Sequence, residues 1–151
     1  MEQKSIRVIA STLLALLLLG NVACTSTPQA NDQWQPSKTI PGGFRRDLVG
    51  DTSQPGPFKY QLKIPAGTRV AAHRHTRDVH VKVLSGSIFI VIGEPLDPSR
   101  ARHLRTGNAF VVLANAMHEE WWDEETILEA EGVGPMETVY KSQTAGASPS
   151  Y

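Results

Sequence analysis

The sequence has almost no cysteine and no excess of charge of either sign. Its single cysteine, Cys24, cannot form an internal disulfide. Fifteen lysines and arginines balance fifteen aspartates and glutamates, so there is no strong field to attract nucleic acid or an anionic membrane. We therefore expect no nucleic-acid partner.

Several sequence patterns are also missing. No segment shows a sustained 3.6-residue apolar period, which argues against a helical domain. There is no Gly-x-Ser-x-Gly nucleophile motif and no glycine-rich phosphate loop. The length of 151 residues suits one domain.

The first two dozen residues have the order of a secretory signal peptide. Lys4 and Arg7 precede an apolar run over residues 8–19, and small residues follow. The run is shorter than the roughly 20 residues that cross a bilayer comfortably. The sequence thus predicts a signal peptide over residues 1–23 and an exported protein of the periplasm or cell envelope.

Cys24 stands where a bacterial lipoprotein places its lipidated cysteine, directly after Gly20-Asn21-Val22-Ala23. The resemblance to a lipobox is partial, because Asn21 occupies the place of the usual leucine. Two interpretations stay open. Either Cys24 carries a lipid that anchors the protein to a membrane, or ordinary signal peptidase cleaves near Ala23 or Ala30.

The composition divides the rest of the chain into three parts. Residues 24–46 are rich in Thr, Pro, Gln, Asn and Gly and are predicted to form a flexible linker. Residues 142–151 are predicted to form a disordered tail. Between them, residues 47–141 alternate β-type runs with turn signals, which indicates an all-β sandwich or barrel. The predicted strands are 58–64, 68–73, 79–84, 87–92, 109–113, 116–122, 126–131 and 137–140.

Three of the five histidines lie within eight residues of one another: His73, His75 and His80. In a strand, His73 and His75 point to the same face, so their imidazoles can bind one metal ion together. The alternative is that both are surface residues of a polar segment. The His-x-His pair alone does not decide between these interpretations.

The surroundings of the pair favour a metal site, because they resemble the first motif of the cupin superfamily. That motif places a glycine before His-x-His and a second glycine after it, as Gly67, His73, His75 and Gly86 are placed here. A second stretch, from Gly107 to Trp122, resembles the second cupin motif and contributes His118. In this stretch Leu113, Asn115 and Trp122 replace the usual Pro, Gly and Asn.

The resemblance implies a fold, a cofactor and ligands. The fold is a double-stranded β-helix, or jelly-roll barrel, in a single domain. The cofactor is one divalent transition metal ion (Fe, Mn, Zn, Ni or Cu), and the implied ligands are His73, His75 and His118.

The fourth ligand is open. Val79 stands where most cupins place a glutamate, and valine cannot bind metal. A β-bulge is needed to turn His80 inward, whereas Glu120 shares the face of His118 in a regular strand. The alternative for Glu120 is a solvated position. His103, in a basic connecting segment, is expected to be a surface residue.

Two classes of function agree with this reading. One is a metal-dependent enzyme that binds a small molecule, and the resemblance implies dioxygenase, isomerase or hydrolase chemistry. The other is a non-catalytic binding or sensing protein with a weakened or absent metal site. Candidates for the walls of an apolar pocket are Phe89, Phe110, Met117, Trp121 and Trp122; the alternative is that these residues are plain core. A homodimer through edge strands is compatible with an open barrel.

Overall fold

The computed structural model describes residues 33–141. The predicted signal peptide, Cys24 and the predicted tail at 142–151 lie outside the described residues. Within residues 33–141, no helix is long and apolar enough to cross a membrane. In chain order, the elements are β1 (Gln35–Pro36), β2 (Phe44–Val49), β3 (Gly56–Ile64), β4 (Arg69–His75), β5 (Val79–Ser85), β6 (Ser87–Ile92), a 3₁₀ turn (Pro98–Arg100), β7 (Arg102–Arg105), β8 (Ala109–Val112), β9 (His118–Trp121), β10 (Thr126–Gly134) and β11 (Thr138–Tyr140).

The strands form two antiparallel sheets. One sheet has six strands in the order β1-β2-β3-β10-β5-β8, and the other has five in the order β11-β4-β9-β6-β7. Consecutive strands alternate between the sheets along much of the chain, as they do in a jelly roll. The predicted all-β jelly-roll barrel is confirmed.

Alternation along the strands builds the core between the two sheets. In β3, Phe58, Tyr60 and Ile64 are buried, whereas Lys59 and Lys63 between them point outward. On the facing sheet, Ile88 and Ile90 of β6 are fully buried. Each such side chain contributes about 1.5–3 kcal/mol through the hydrophobic effect. These apolar faces hold the two sheets together. Buried polar residues such as His73 and His118 are exceptions in this core.

The structured domain begins earlier than predicted. Part of the expected linker forms β1 and pairs with β2, which starts at Phe44. Between them, Ile40 is only 4% exposed and packs in the main core cluster. The hydroxyl of Ser37 accepts hydrogen bonds from the backbone N–H groups of Thr39 and Ile40. This corrects the predicted linker boundary, since Ile40 packs in the core and β1 pairs with β2.

The basic connecting segment also contains an additional strand. The 3₁₀ turn over Pro98–Arg100 is capped by the carboxylate of Asp97, which accepts from the N–H of Ser99. After it, β7 pairs with β6 at the edge of the five-stranded sheet. Sequence alternation missed β7, because Leu104 is its only apolar and only buried residue.

Candidate metal centre

Three histidines meet inside the barrel. One ring nitrogen each from His73, His75 and His118 lies within 4.8 Å of the other two. His73 and His118 are directly opposite each other on β4 and β9. They are 3% and 1% exposed, whereas His75 is half-buried. Among the described residues, these are the three that form such a cluster.

A β-bulge in β4 turns the first two histidines inward. Val70 pairs with Glu120 and His73 pairs with His118, so three residues of β4 span two residues of β9. Without the extra residue, regular alternation from the inward-facing Val70 would place His73 and His75 on the outer face. The bulge therefore creates the site.

The turn before β9 is tied to the His-x-His strand. Asn115 has a φ of 63°, in the left-handed region. Asparagine tolerates this conformation better than other non-glycine residues do. Asn115 thus occupies the glycine position of the motif without disrupting the turn. Its backbone N–H donates to the carbonyl oxygen of His75 at 2.7 Å, which links the two histidine-bearing segments.

Hydrogen bonds orient the three imidazole rings. Nδ1 of His73 lies 2.8 Å from the carbonyl oxygen of Ala71, and Nδ1 of His118 lies 3.0 Å from that of Ala116. A carbonyl oxygen only accepts, so each of these Nδ1 atoms donates and leaves Nε2 with a free lone pair. Nδ1 of His75 contacts the hydroxyl of Thr138 at 3.1 Å. Partners of this kind are typical of metal-binding histidines.

Burial keeps the cluster neutral. It lowers the pKa of His75 to about 3, and positive charge on either neighbouring histidine lowers it further. It likewise lowers the pKa of His118 to about 4, with a contribution from His73. Burial also lowers the pKa of His73, against the effect of its bond to Ala71. At neutral pH the rings therefore carry no proton that a metal ion must displace.

A cavity of about 160 Å³ lies beside His73 and His75. Glu120 lines it and faces inward, since it pairs with Val70 on one side and Ile90 on the other. Burial raises the pKa of Glu120 to about 7. Within residues 33–141 its carboxylate has no hydrogen bond or ion pair, and it is not part of the three-histidine cluster. The site thus combines neutral imidazoles with a carboxyl group that titrates near neutral pH.

Comparison with known proteins identifies only the fold. A mutant of the salicylate 1,2-dioxygenase of Pseudoaminobacter salicylatoxidans in complex with gentisate matches at a TM-score of 0.58 and 20% identity; the match covers 72% of this chain and 32% of that one. KdgF from Halomonas sp. matches at a TM-score of 0.52 and 20% identity, with 68% and 86% covered. No protein-family model and no curated protein matches the sequence.

This chain has the cupin fold. Together with the two sheets and their topology, the structural matches confirm the fold implied by the two sequence motifs. The chain spans about a third of the salicylate dioxygenase chains that it matches. The activity of those larger proteins is therefore considered only as a proposal below.

The cupin barrel brings together some predicted site residues and separates others. Val79 is 2% exposed and belongs to an apolar core cluster, as its side chain requires. His80 is exposed and lies outside the cavity, opposite Val111 and Glu131. Because β5 has no bulge at His80, the side chain points away from the three histidines and is not in position to act as a fourth ligand. His103 is exposed on the outer face, as expected.

The candidates for an apolar pocket wall do not border the histidine cavity, and the alternative of plain core holds for Phe110 and Trp122. None of the five candidates lines the cavity of the cupin barrel. Trp122 is 1% exposed and Phe110 is 7% exposed, and both belong to the core. Phe89 and Trp121 instead stack against each other on the outer face, with centroids 5.5 Å apart. Strand alternation predicts which side chains share a face of the sheet, but it does not predict where that face borders a cavity.

Sequence reasoning missed six polar residues of the cavity wall: Thr39, Arg45, Thr52, Tyr60, Thr138 and Tyr140. Tyr60 carried a usable signal, because it alternates with Phe58, Leu62 and Ile64 on the buried face of β3. Tyr140 packs near His73, with ring centroids 5.4 Å apart. For Arg45, Thr138 and Tyr140 the sequence holds no comparable signal, since strand pairing alone brings them to the site.

Proposed function

We propose that this barrel binds one divalent transition metal ion through Nε2 of His73, His75 and His118 and holds a small molecule there. The observation that carries the proposal is the convergence of three neutral imidazoles, two buried and one half-buried, whose Nδ1 atoms are already hydrogen-bonded. Imidazole nitrogen is a preferred ligand of Zn, Cu, Fe and Ni. Three ligands leave further coordination positions open.

The residues fit such an ion for a second reason. Bringing three imidazoles together costs desolvation free energy, and in the described part of the chain no acidic residue belongs to the cluster to offset it. A bound metal ion would supply Lewis acidity, or redox chemistry if it is iron, copper or manganese. Coordination of the ion would then offset the desolvation free energy of bringing the three imidazoles together.

The other cavity residues would handle the small molecule. The hydroxyl groups of Tyr60, Thr138 and Tyr140 can orient its polar atoms. Glu120, with a pKa near 7, can accept or return a proton without a large cost. We therefore propose metal-dependent oxygenase- or isomerase-type activity. The fold shared with a salicylate dioxygenase supports this choice by analogy.

A second candidate is a non-catalytic binding or sensing cupin with a weak metal site. Val79 is a core residue where a fourth ligand is usual, and Glu120 lies outside the cluster. Both observations favour lower metal affinity. This candidate predicts a stable, folded protein that is purified without stoichiometric metal.

The location of the protein is part of the proposal. The signal-peptide pattern of residues 1–23 supports export to the periplasm or envelope, and Cys24 supports a lipid anchor. Labelling of cells with a radioactive fatty acid, with Cys24→Ala as control, tests the anchor. A dimer, tested by light scattering, remains a proposal on the open sheet edges alone.

The decisive experiment measures the metal content of untagged protein by mass spectrometry, before and after reconstitution. We expect about one ion per chain in the wild type. In His75→Ala the bound metal should fall by about tenfold or more, because one of the three ligands is lost. His103→Ala, on the outer face, should retain the ion. Equal metal content in the two variants would rule out the site.

A further inference from the structure

A second, larger cavity lies directly outside the histidine cavity. It has a volume of about 320 Å³, is formed by the N-terminal segment, and includes Asp47 and Asp51 in its wall. We call it the vestibule. Three residues line both spaces: Thr39, Arg45 and Thr52. These three side chains therefore lie at the boundary between the vestibule and the histidine cavity.

Arg45 is the largest of the three, and its position is fixed. It lies on the inward face of β2, opposite Leu62. Its guanidinium group lies 3.9 Å from the centre of the Tyr60 ring. Both Nε and Nη2 donate to one carboxylate oxygen of Asp47, at 2.8 and 2.6 Å. A planar cation held by a ring and a carboxylate blocks a passage better than a free side chain does.

We propose that Arg45 is a gate that limits access from the vestibule to the three-histidine site, and so selects small ligands by size. The gate acts through the position of its side chain and is a specificity-determining residue, not a metal ligand. The inference builds on the proposed function, because it concerns what reaches the metal. Access to the histidines can nevertheless be measured in protein that contains no metal.

Diethyl pyrocarbonate is a suitable probe, since it modifies accessible imidazole nitrogens and the modified histidines are identified by peptide mass spectrometry. In metal-free protein, His75 should react at least about tenfold more slowly than the exposed His80 and His103, because reaction follows access. These two histidines serve as internal controls for the global fold.

Removal of the gate should expose His75 specifically. Arg45→Ala is expected to raise the modification rate of His75 by about tenfold, with His80 and His103 unchanged. Asp47→Ala keeps the guanidinium but removes its acceptor, and should raise the rate by about threefold. The matched control is Arg46→Ala, because Arg46 faces outward and donates to Gln61. It should leave the rate of His75 unchanged.

The alternative route runs past Tyr140, whose side chain lines the cavity and is 46% exposed. If Tyr140→Ala speeds modification of His75 while Arg45→Ala and Asp47→Ala do not, the proposal is overturned. It is equally overturned if His75 of the wild type reacts as fast as His103. An absence of metal binding would contradict the proposed function but leave these rates, and hence the gate, unaffected.

Discussion

The two faces of the five-stranded sheet carry similar side chains in opposite settings. The inner face presents His73, His75 and His118. On the outer face, His103 stacks on Phe89 with centroids 4.0 Å apart, and Phe89 stacks on Trp121. Arg69 completes this outer row, 4.9 Å from the ring of Trp121. Both groups follow from cross-strand pairing, yet only the inner group can bind a metal.

The difference lies in desolvation and hydrogen bonding. On the inner face, Nδ1 of each imidazole is engaged, and one ring nitrogen of each lies within 4.8 Å of the other two. On the outer face, His103 is exposed and uses its ring face to stack. Histidine alone therefore does not indicate a ligand; a buried cluster with engaged Nδ1 atoms does.

The largest expected effect contrasts packing on the two faces of one strand. Ile90, on the inner face of β6, is fully buried. Ile90→Ala should lower the free energy of unfolding by about 2–5 kcal/mol, through lost burial and a new cavity. Its neighbour Phe89 is half-exposed on the outer face. Phe89→Ala should cost about 1 kcal/mol. Urea denaturation monitored by circular dichroism measures both, and equal losses would contradict the assignment of faces.

The sequence was sufficient to predict the architecture because eight strands can be recognised from β-type runs that alternate with turn residues. It failed at β1, β2 and β7, which have one buried residue among them, Leu104. It paired His73 with His75 correctly, but the inward turn of both depends on the bulge opposite β9. No feature of the sequence Val70-Ala71-Ala72 predicts a bulge. The gate position of Arg45 likewise depends on the pairing of β2 with β3, which no local pattern specifies.

The next effect is a dependence of stability on pH that is specific to the inner face. The pKa values of His75 and His118 are lowered to about 3 and about 4 from an ordinary 6.5. The unfolded chain therefore binds more protons below pH 6.5, and metal-free protein should lose stability as the pH falls from 6.5 toward 4. The loss is about 3 kcal/mol per histidine.

Glu120 acts in the opposite direction. Its pKa is raised from 4.5 to about 7, so its contribution is fully present below pH 4.5 and is lost as the pH rises through 7. In Glu120→Gln this compensation is absent, and the decline below pH 6.5 should be steeper than in the wild type. Thermal unfolding between pH 4.5 and 7.5 tests this. A shallower decline in Glu120→Gln would refute the buried position of the carboxyl group.

The smallest expected effect concerns the charged end of the outer row. Nε of Arg69 lies 2.7 Å from a carboxylate oxygen of Glu119, and the two side chains are 54% and 19% exposed. A partly exposed pair of this kind contributes only about 0.5 kcal/mol, and salt weakens it. The coupling free energy from a double-mutant cycle of Arg69→Met and Glu119→Gln, measured at low and high salt, should therefore be small and should shrink with salt. A coupling free energy above about 2 kcal/mol that does not change with salt would mean that the outer row is desolvated like the three inner histidines. The contrast between the two faces would then rest on hydrogen bonding alone.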